Sequence, residues 1–318
     1  MAVTPRTTAG LIKIRPVRPG ATVALVAPAS PFPRAEFDRG VVELERLGFK
    51  TYWDERVFDV DGFVAGTPEI RAISLRDALS RPEVDAIIAV RGGYGSVQVL
   101  PMVRADEWRE RRTAFVGYSD VTSLHTVINQ AAGLVSIHGP MIDGRIAKGP
   151  DAYDPTTFLT SLLDHPVGEI VGPTVQTLLD GPEVMGPIFG GTLTQLVASL
   201  GTPYAFDPPH GHILFLDEVG ERPYRIDRML TQLKFAGILA RASAVVCNAM
   251  PNCDEASGLF TARDTVRRAF DGFGGPVLFG VPSGHHAGES VTLPFGVRTR
   301  VLTGARPGLM VEEAAASE

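Results

Sequence analysis

Short apolar runs recur along the chain, most of them followed by a segment with helical spacing. Thr22-Val23-Ala24-Leu25-Val26-Ala27-Pro28 is apolar almost throughout and stops at proline. That is the pattern of a strand buried on both faces of a parallel sheet. Residues 33–47 then place Val41, Leu44 and Leu47 on one face, and Gly48 closes the predicted helix. Residues 49–53 read as a second strand. Thr67-Pro68-Glu69 opens another helix, with threonine as cap, proline at the first position and an acid in the first turn. Its apolar face is Ala72, Leu75, Ala78 and Leu79. Strands at 86–90, 114–117 and 134–140 follow, with a weakly helical stretch at 98–103. Strands alternating with helices at this spacing predict a doubly wound sheet.

The pattern thins from 148 to 184, where prolines fall at 150, 155, 166, 173 and 182. A second unit starts near Gly186, with Leu193, Leu196 and Leu200 at helical spacing. A strand at 212–216 delivers Asp217-Glu218, and Pro223 opens a helix carrying Ile226, Met229, Leu230 and Leu233 at core spacing. Residues 243–247 and 276–281 read as further strands, and 298–302 alternates like an edge strand. The fold class expected is α/β: an N-terminal doubly wound, mostly parallel sheet domain plus a smaller C-terminal α+β domain. The expected division is 15–150, carrying a candidate nucleophile serine; 151–184, a connecting region; and 185–310, carrying a candidate acid and histidine.

Composition narrows the function classes. With 318 residues two domains are the natural expectation, and 44% hydrophobic against 21% charged residues suits a soluble protein with sizeable cores. A net charge of −6 favours neither nucleic acid nor an anionic membrane as partner. Two cysteines, Cys247 and Cys253, make no disulfide framework, and Cys247 in its apolar run reads as a buried thiol. No metal-ligand spacing stands out, so neither metal nor cofactor is expected. The first 19 residues lack the apolar core of a signal peptide and no run reaches membrane-span length, so a cytoplasmic location is expected.

Three strand ends carry candidate chemistry. In Gly117-Tyr118-Ser119-Asp120 an apolar strand ends in a glycine and then a serine, with Val121, Leu124, Val127 and Ile128 at helical spacing after it. A sharp turn there would expose the hydroxyl beside a helix N-terminus whose N–H groups can hold an oxyanion. Val121 stands where the full nucleophile-elbow pattern has a second glycine, and a serine before a helix is more often only a cap. Arg91-Gly92-Gly93-Tyr94-Gly95-Ser96 follows another strand and lets backbone approach a ligand, although a plain tight turn reads the same way. Asp217-Glu218 and Pro282-Ser283-Gly284-His285-His286 end two strands of the second unit; a carboxylate there could cap a helix or orient an imidazole. Histidines 125, 138, 165, 210 and 212 compete by count.

Together these strings resemble the LD-carboxypeptidases, serine peptidases of bacterial cell-wall recycling related to the microcin C immunity peptidases. The matching strings are Val26-Ala27-Pro28-Ala29-Ser30, Ala65-Gly66-Thr67, Arg91-Gly92-Gly93-Tyr94-Gly95, Gly117-Tyr118-Ser119-Asp120 and Ile137-His138-Gly139-Pro140. In the second half they are Gly190-Gly191-Thr192-Leu193-Thr194, Ile213-Leu214-Phe215-Leu216, Gly220–Arg228 and Pro282-Ser283-Gly284-His285. They keep family order from about residue 20 to 300. The resemblance implies a Ser-Glu-His triad, with Ser119 as nucleophile and His285 as base. The family has Glu-Asp where this chain has Asp217-Glu218, so position points to Asp217 and residue type to Glu218. Strand alternation turns the two to opposite sides, and Asp217 is preferred. By the same resemblance the backbone N–H groups of Gly92 and Asp120 hold the oxyanion. Arg91, Tyr94, Glu221 and Arg225 are candidate substrate contacts, the last two being equally readable as a structural ion pair. The implied reaction is release of the terminal D-Ala from a murein tetrapeptide through an acyl-enzyme, without cofactor, in a homodimer. Cleavage of an aminoacyl-nucleotide analogue is the alternative within the superfamily, and a non-catalytic α/β binding protein the alternative outside it.

Overall fold

The computed structural model describes residues 10–318. In chain order its strands are β1 (Thr22–Val26), β2 (Lys50–Tyr52), β3 (Val84–Ala89), β4 (Ala114–Gly117), β5 (Ser136–His138), β6 (Gly168–Val171) and β7 (Gln176–Leu179). After these come β8 (Val184–Thr192), β9 (His212–Asp217), β10 (Ala242–Cys247), β11 (Val277–Phe279), β12 (Leu293–Phe295), β13 (Arg298–Leu302) and β14 (Gly308–Val311). They form two sheets.

The first sheet has the order β12-β5-β4-β3-β1-β2. Its five N-terminal strands are parallel, and β12 joins antiparallel to β5. The central strands are short and apolar because helices cover both faces: every residue of β4 is buried, and so are five of the six in β3. The helix Pro68–Ser80 starts as its sequence predicts, with the Thr67 hydroxyl oxygen accepting from the Ile70 N–H at 3.4 Å and Pro68 in the first turn. A doubly wound, mostly parallel sheet is therefore what the alternating pattern encodes.

The second sheet has the order β6-β14-β13-β8-β9-β10-β11-β7. Its centre, β8 to β11, is parallel, and antiparallel strands flank it on both sides. Two features differ from the sequence expectation. The stretch 151–184 holds the helix Pro155–Ser161 and also β6 and β7, the two outermost strands of this sheet. Its prolines fall outside the strands, Pro155 opening the helix, so they punctuate structure and do not abolish it. The segment 298–302 alternates but is not an edge: β14 and β6 pair beyond it. Alternation reports one buried face and says nothing about pairing.

The halves interlock. β12 leaves the second half to complete the first sheet, and the chain then returns to the second as β13 and β14. Two apolar clusters fill the interior, the larger running from the first sheet into the second and the smaller packed on the other face of the second sheet.

Candidate active site

The C-terminal ends of parallel strands from both sheets meet at one place. β4 is fully buried, Tyr118 is still extended, and the chain then turns at Ser119 with φ of +66°. A non-glycine residue rarely adopts that left-handed conformation, so the turn carries strain of the kind found at reactive positions. The turn Ser119–Val121 leads directly into the helix Thr122–Val127. The Ser119 hydroxyl is partly exposed and has no hydrogen-bond partner among the described residues. It caps nothing, which removes the bland reading of this serine.

Gly92 packs against the turn. A Cβ on Gly92 would lie 2.8 Å from the Ser119 Cβ, 3.0 Å from its Oγ and 3.2 Å from the Asp120 nitrogen. Only glycine lets the backbone come this close, which accounts for the glycine-rich loop after β3. Asp120 is buried and ties the neighbourhood together. Its carboxylate accepts from the Ser96 N–H at 2.8 Å and from Gln195 Nε2 at 2.9 Å. Burial pushes its pKa up despite these bonds.

The acid and the histidine come from the second half. Asp217 ends β9 with its side chain fully buried, and its Oδ2 lies 2.7 Å from Nδ1 of His285. The His285 N–H donates to Oδ1 at 2.9 Å, and Thr192 Oγ1 donates to Oδ2 at 3.2 Å. Burial alone would raise the Asp217 pKa; the adjacent His285 ring and the hydrogen bonds to the carboxylate outweigh it and hold the carboxyl below its ordinary value. With Nδ1–H directed at this carboxylate, Nε2 keeps the lone pair that a general base needs. The His285 ring stands edge-on to Tyr118, with centroids 5.0 Å apart, beside the residue that precedes Ser119. Gly284 permits the approach: its φ is +69°, and a Cβ there would sit 2.7 Å from the Asp217 carboxyl carbon.

Glu218 points the other way. Its Oε2 accepts from the N–H and hydroxyl of Thr194 at 2.9 and 2.7 Å, at the start of the helix Leu193–Ser199, and burial raises its pKa. Strand alternation thus brings Asp217, not Glu218, to the histidine. The competing histidines are occupied elsewhere. His125 bridges the Ser136 hydroxyl and the Gly117 carbonyl, each at 2.8 Å, and burial lowers its pKa to about 3. Burial likewise lowers His138 and His212 to about 4. His165 and His210 are exposed.

The candidate substrate contacts divide. Arg91 pairs with Asp143 at 3.3 Å and donates to the Pro31 carbonyl at 3.0 Å. Tyr94 is 44% exposed and packs edge-on against Phe63. Glu221 and Arg225 pair with each other at 3.4 Å at the start of the helix Pro223–Phe235, as a structural ion pair would.

The LD-carboxypeptidase N-terminal domain profile matches residues 23–139 and the C-terminal domain profile matches 185–301. This chain belongs to the LD-carboxypeptidase family. A probable murein peptide carboxypeptidase of Bacillus subtilis (strain 168) is 32% identical over 96% of each chain. The crystal structure of a muramoyltetrapeptide carboxypeptidase from Oxalobacter formigenes is 27% identical, with a TM-score of 0.78 over 92% of this chain and 99% of that one. A structure of the microcin C7 self-immunity protein MccF with glutamyl sulfamoyl guanosine shares the fold, at 21% identity and a TM-score of 0.87 over 96% of this chain and 99% of that one. This LD-carboxypeptidase is accordingly a serine-type carboxypeptidase, a hydrolase.

Two neighbours of the acid are not among the candidate site residues read from the sequence, although Thr192 lies in the Gly190–Thr194 string. Thr192 ends β8 in register with Asp217 on β9. Asn248, directly after β10, donates from Nδ2 to Asp217 Oδ1 and to the His285 carbonyl, the latter at 2.8 Å. Both stand at the C-terminal ends of neighbouring parallel strands, where ligand crevices form in α/β sheets. That shared position is the signal that marks them. Among the described residues, no helix is long and apolar enough to cross a membrane.

Proposed function

We propose that this enzyme is an L,D-carboxypeptidase that releases the terminal D-Ala of a murein tetrapeptide through an acyl-enzyme on Ser119. His285 Nε2 takes the hydroxyl proton as Oγ attacks the peptide carbonyl, and the Asp217 carboxylate stabilises the imidazolium that forms. The Gly92 and Asp120 N–H groups receive the oxyanion. His285 then protonates the departing amine, D-Ala leaves, and water, deprotonated by the same imidazole, releases the shortened peptide. Hydrogen bonds of a nucleophile are commonly long before substrate binds, so the free Ser119 hydroxyl fits this scheme. The observation that carries the reading is the Asp217–His285 pair at 2.7 Å, with the imidazole against the ring of Tyr118, the residue before a serine of positive φ. Arg91 and Tyr94 flank the Gly92 wall and are our candidates for contacts to the peptide. We place the enzyme in the cytoplasm, as a homodimer, acting in peptidoglycan recycling.

The test is incubation of the wild type and Ser119→Ala with L-Ala-γ-D-Glu-meso-diaminopimelyl-D-Ala, with free D-Ala followed by mass spectrometry. Release by the wild type alone supports the proposal. The fold shared with MccF motivates a second reading, cleavage of an aminoacyl sulfamoyl nucleotide. Turnover of that compound with no D-Ala release would favour it.

A further inference from the structure

Ser119 stands on the first sheet, whereas Asp217 and His285 belong to the second half of the chain. Asp217 fixes the imidazole within its own sheet; something else must fix the histidine segment against the nucleophile. We infer that Arg145 does so, as a positioning residue for the reaction; the inference rests on the reading that Ser119 and His285 act together.

Arg145 lies in the turn after β5, next to the strand that carries Ser119, and it is 7% exposed. Its guanidinium donates from Nη2 to the carbonyls of Gly284 and His286 at 2.7 and 2.8 Å. Those are the two residues flanking His285. Nη1 donates to the carbonyls of Ala152 and Gly288 at 2.9 and 2.8 Å. Its Cζ lies 5.9 Å from the centre of the Tyr118 ring, against which His285 rests. All four acceptors are backbone oxygens, and no carboxylate pairs with this arginine among the described residues. A planar fork can satisfy four carbonyls at once, and an ammonium cannot. The first domain holds the same segment at a second point, where His138 Nδ1 lies 3.2 Å from the Ser283 hydroxyl. That hydroxyl donates to the Val291 carbonyl at 2.9 Å, so it accepts from His138. Arg145 thereby carries the frame of the nucleophile's sheet to the backbone on either side of the base.

The experiment compares wild type, Arg145→Lys and Arg145→Ala in three readouts. These are kcat and KM for the murein tetrapeptide, the rate of Ser119 phosphonylation by a fluorophosphonate, and the low-field proton resonance of the His285–Asp217 bond. Displacement of a base by about an ångström costs on the order of 100-fold in rate. We expect kcat and phosphonylation to fall by about that factor in both variants, with KM changed less than about threefold and the low-field resonance retained. Added guanidinium should restore phosphonylation in Arg145→Ala and not in Arg145→Lys. Rates within about threefold of wild type in both variants would overturn the inference. So would rate loss accompanied by loss of the resonance and of thermal stability, which marks a merely structural residue. Wild type inert to the fluorophosphonate would defeat the Ser119–His285 reading itself. Wild type labelled but inactive on the peptide would defeat only the substrate assignment, with phosphonylation still reporting on Arg145.

Discussion

The turn at Ser119 and the segment around His285 reach the same site by different means. The turn is local: residues 114–127 supply strand, serine and helix in one stretch, and distant residues such as Gly92, Ser96 and Gln195 brace it from outside. The histidine segment has no regular structure of its own. It is suspended from Asp217, Asn248 and Arg145, at the ends of strands in two sheets. A nucleophile can be encoded in a dozen consecutive residues; its base is placed by tertiary contacts that span most of the chain.

The largest effect that sharpens this contrast is at the serine. Ser119→Ala should lower kcat by about 10⁶-fold, the scale of removing a triad nucleophile. Because the hydroxyl caps no helix, the melting curve should barely move, well short of the ~1 kcal/mol that a lost cap costs. Activity that survives while stability falls would restore the cap reading.

The adjacent acids come next. Asp217→Asn should reduce kcat by about 10⁴-fold, since an amide at this position favours the wrong imidazole tautomer. Glu218→Gln should leave kcat nearly unchanged and cost about 1 kcal/mol at the Leu193–Ser199 helix start, read by chemical denaturation. Reversed effects would hand the triad to Glu218.

Ser119 and Asp217 are legible as candidates because each stands at the end of an apolar strand, and alternation separates Asp217 from Glu218. The parallel core of each half is legible for the same reason. His285 is singled out among the histidines only by the family resemblance of Pro282-Ser283-Gly284-His285. What period and punctuation leave out is partnership. That 298–302 is an interior strand depends on β14 and β6, and β12 crosses to the first sheet on pairing alone. Arg145 lies in a turn with no pattern; only its four carbonyl acceptors, three of them some 140 positions away, give it meaning.

Gly284→Ala probes the suspended segment by steric means. Its φ of +69° and the 2.7 Å approach to Asp217 leave no room for a methyl group. We expect about 10²-fold loss of kcat and stability lower by 1–3 kcal/mol, on the scale of strain at such positions. The same substitution at Gly144, whose Cβ would meet nothing within 4 Å, should leave kcat unchanged and cost only the modest penalty of a positive φ.

The smallest and most diffuse effect is acid sensitivity. Burial holds His125 at about 3 and His138 and His212 at about 4, against an ordinary value of 6.5. Each is therefore neutral in the fold, while the unfolded chain takes up protons as pH drops. Their contribution is complete above about pH 6.5 and erodes toward pH 4, by at most about 1.4 kcal/mol per pH unit for each group. Denaturation midpoints measured between pH 7 and 4 should fall with pH, and His212→Gln, remote from the triad, should flatten the slope without changing kcat.

The most direct test of the assembled site is mass spectrometry of the enzyme quenched during turnover of the murein tetrapeptide. We expect an adduct of the peptide minus D-Ala, mapped to Ser119 and absent from Ser119→Ala. Continued D-Ala release by Ser119→Ala, or an adduct on any other residue, would contradict it.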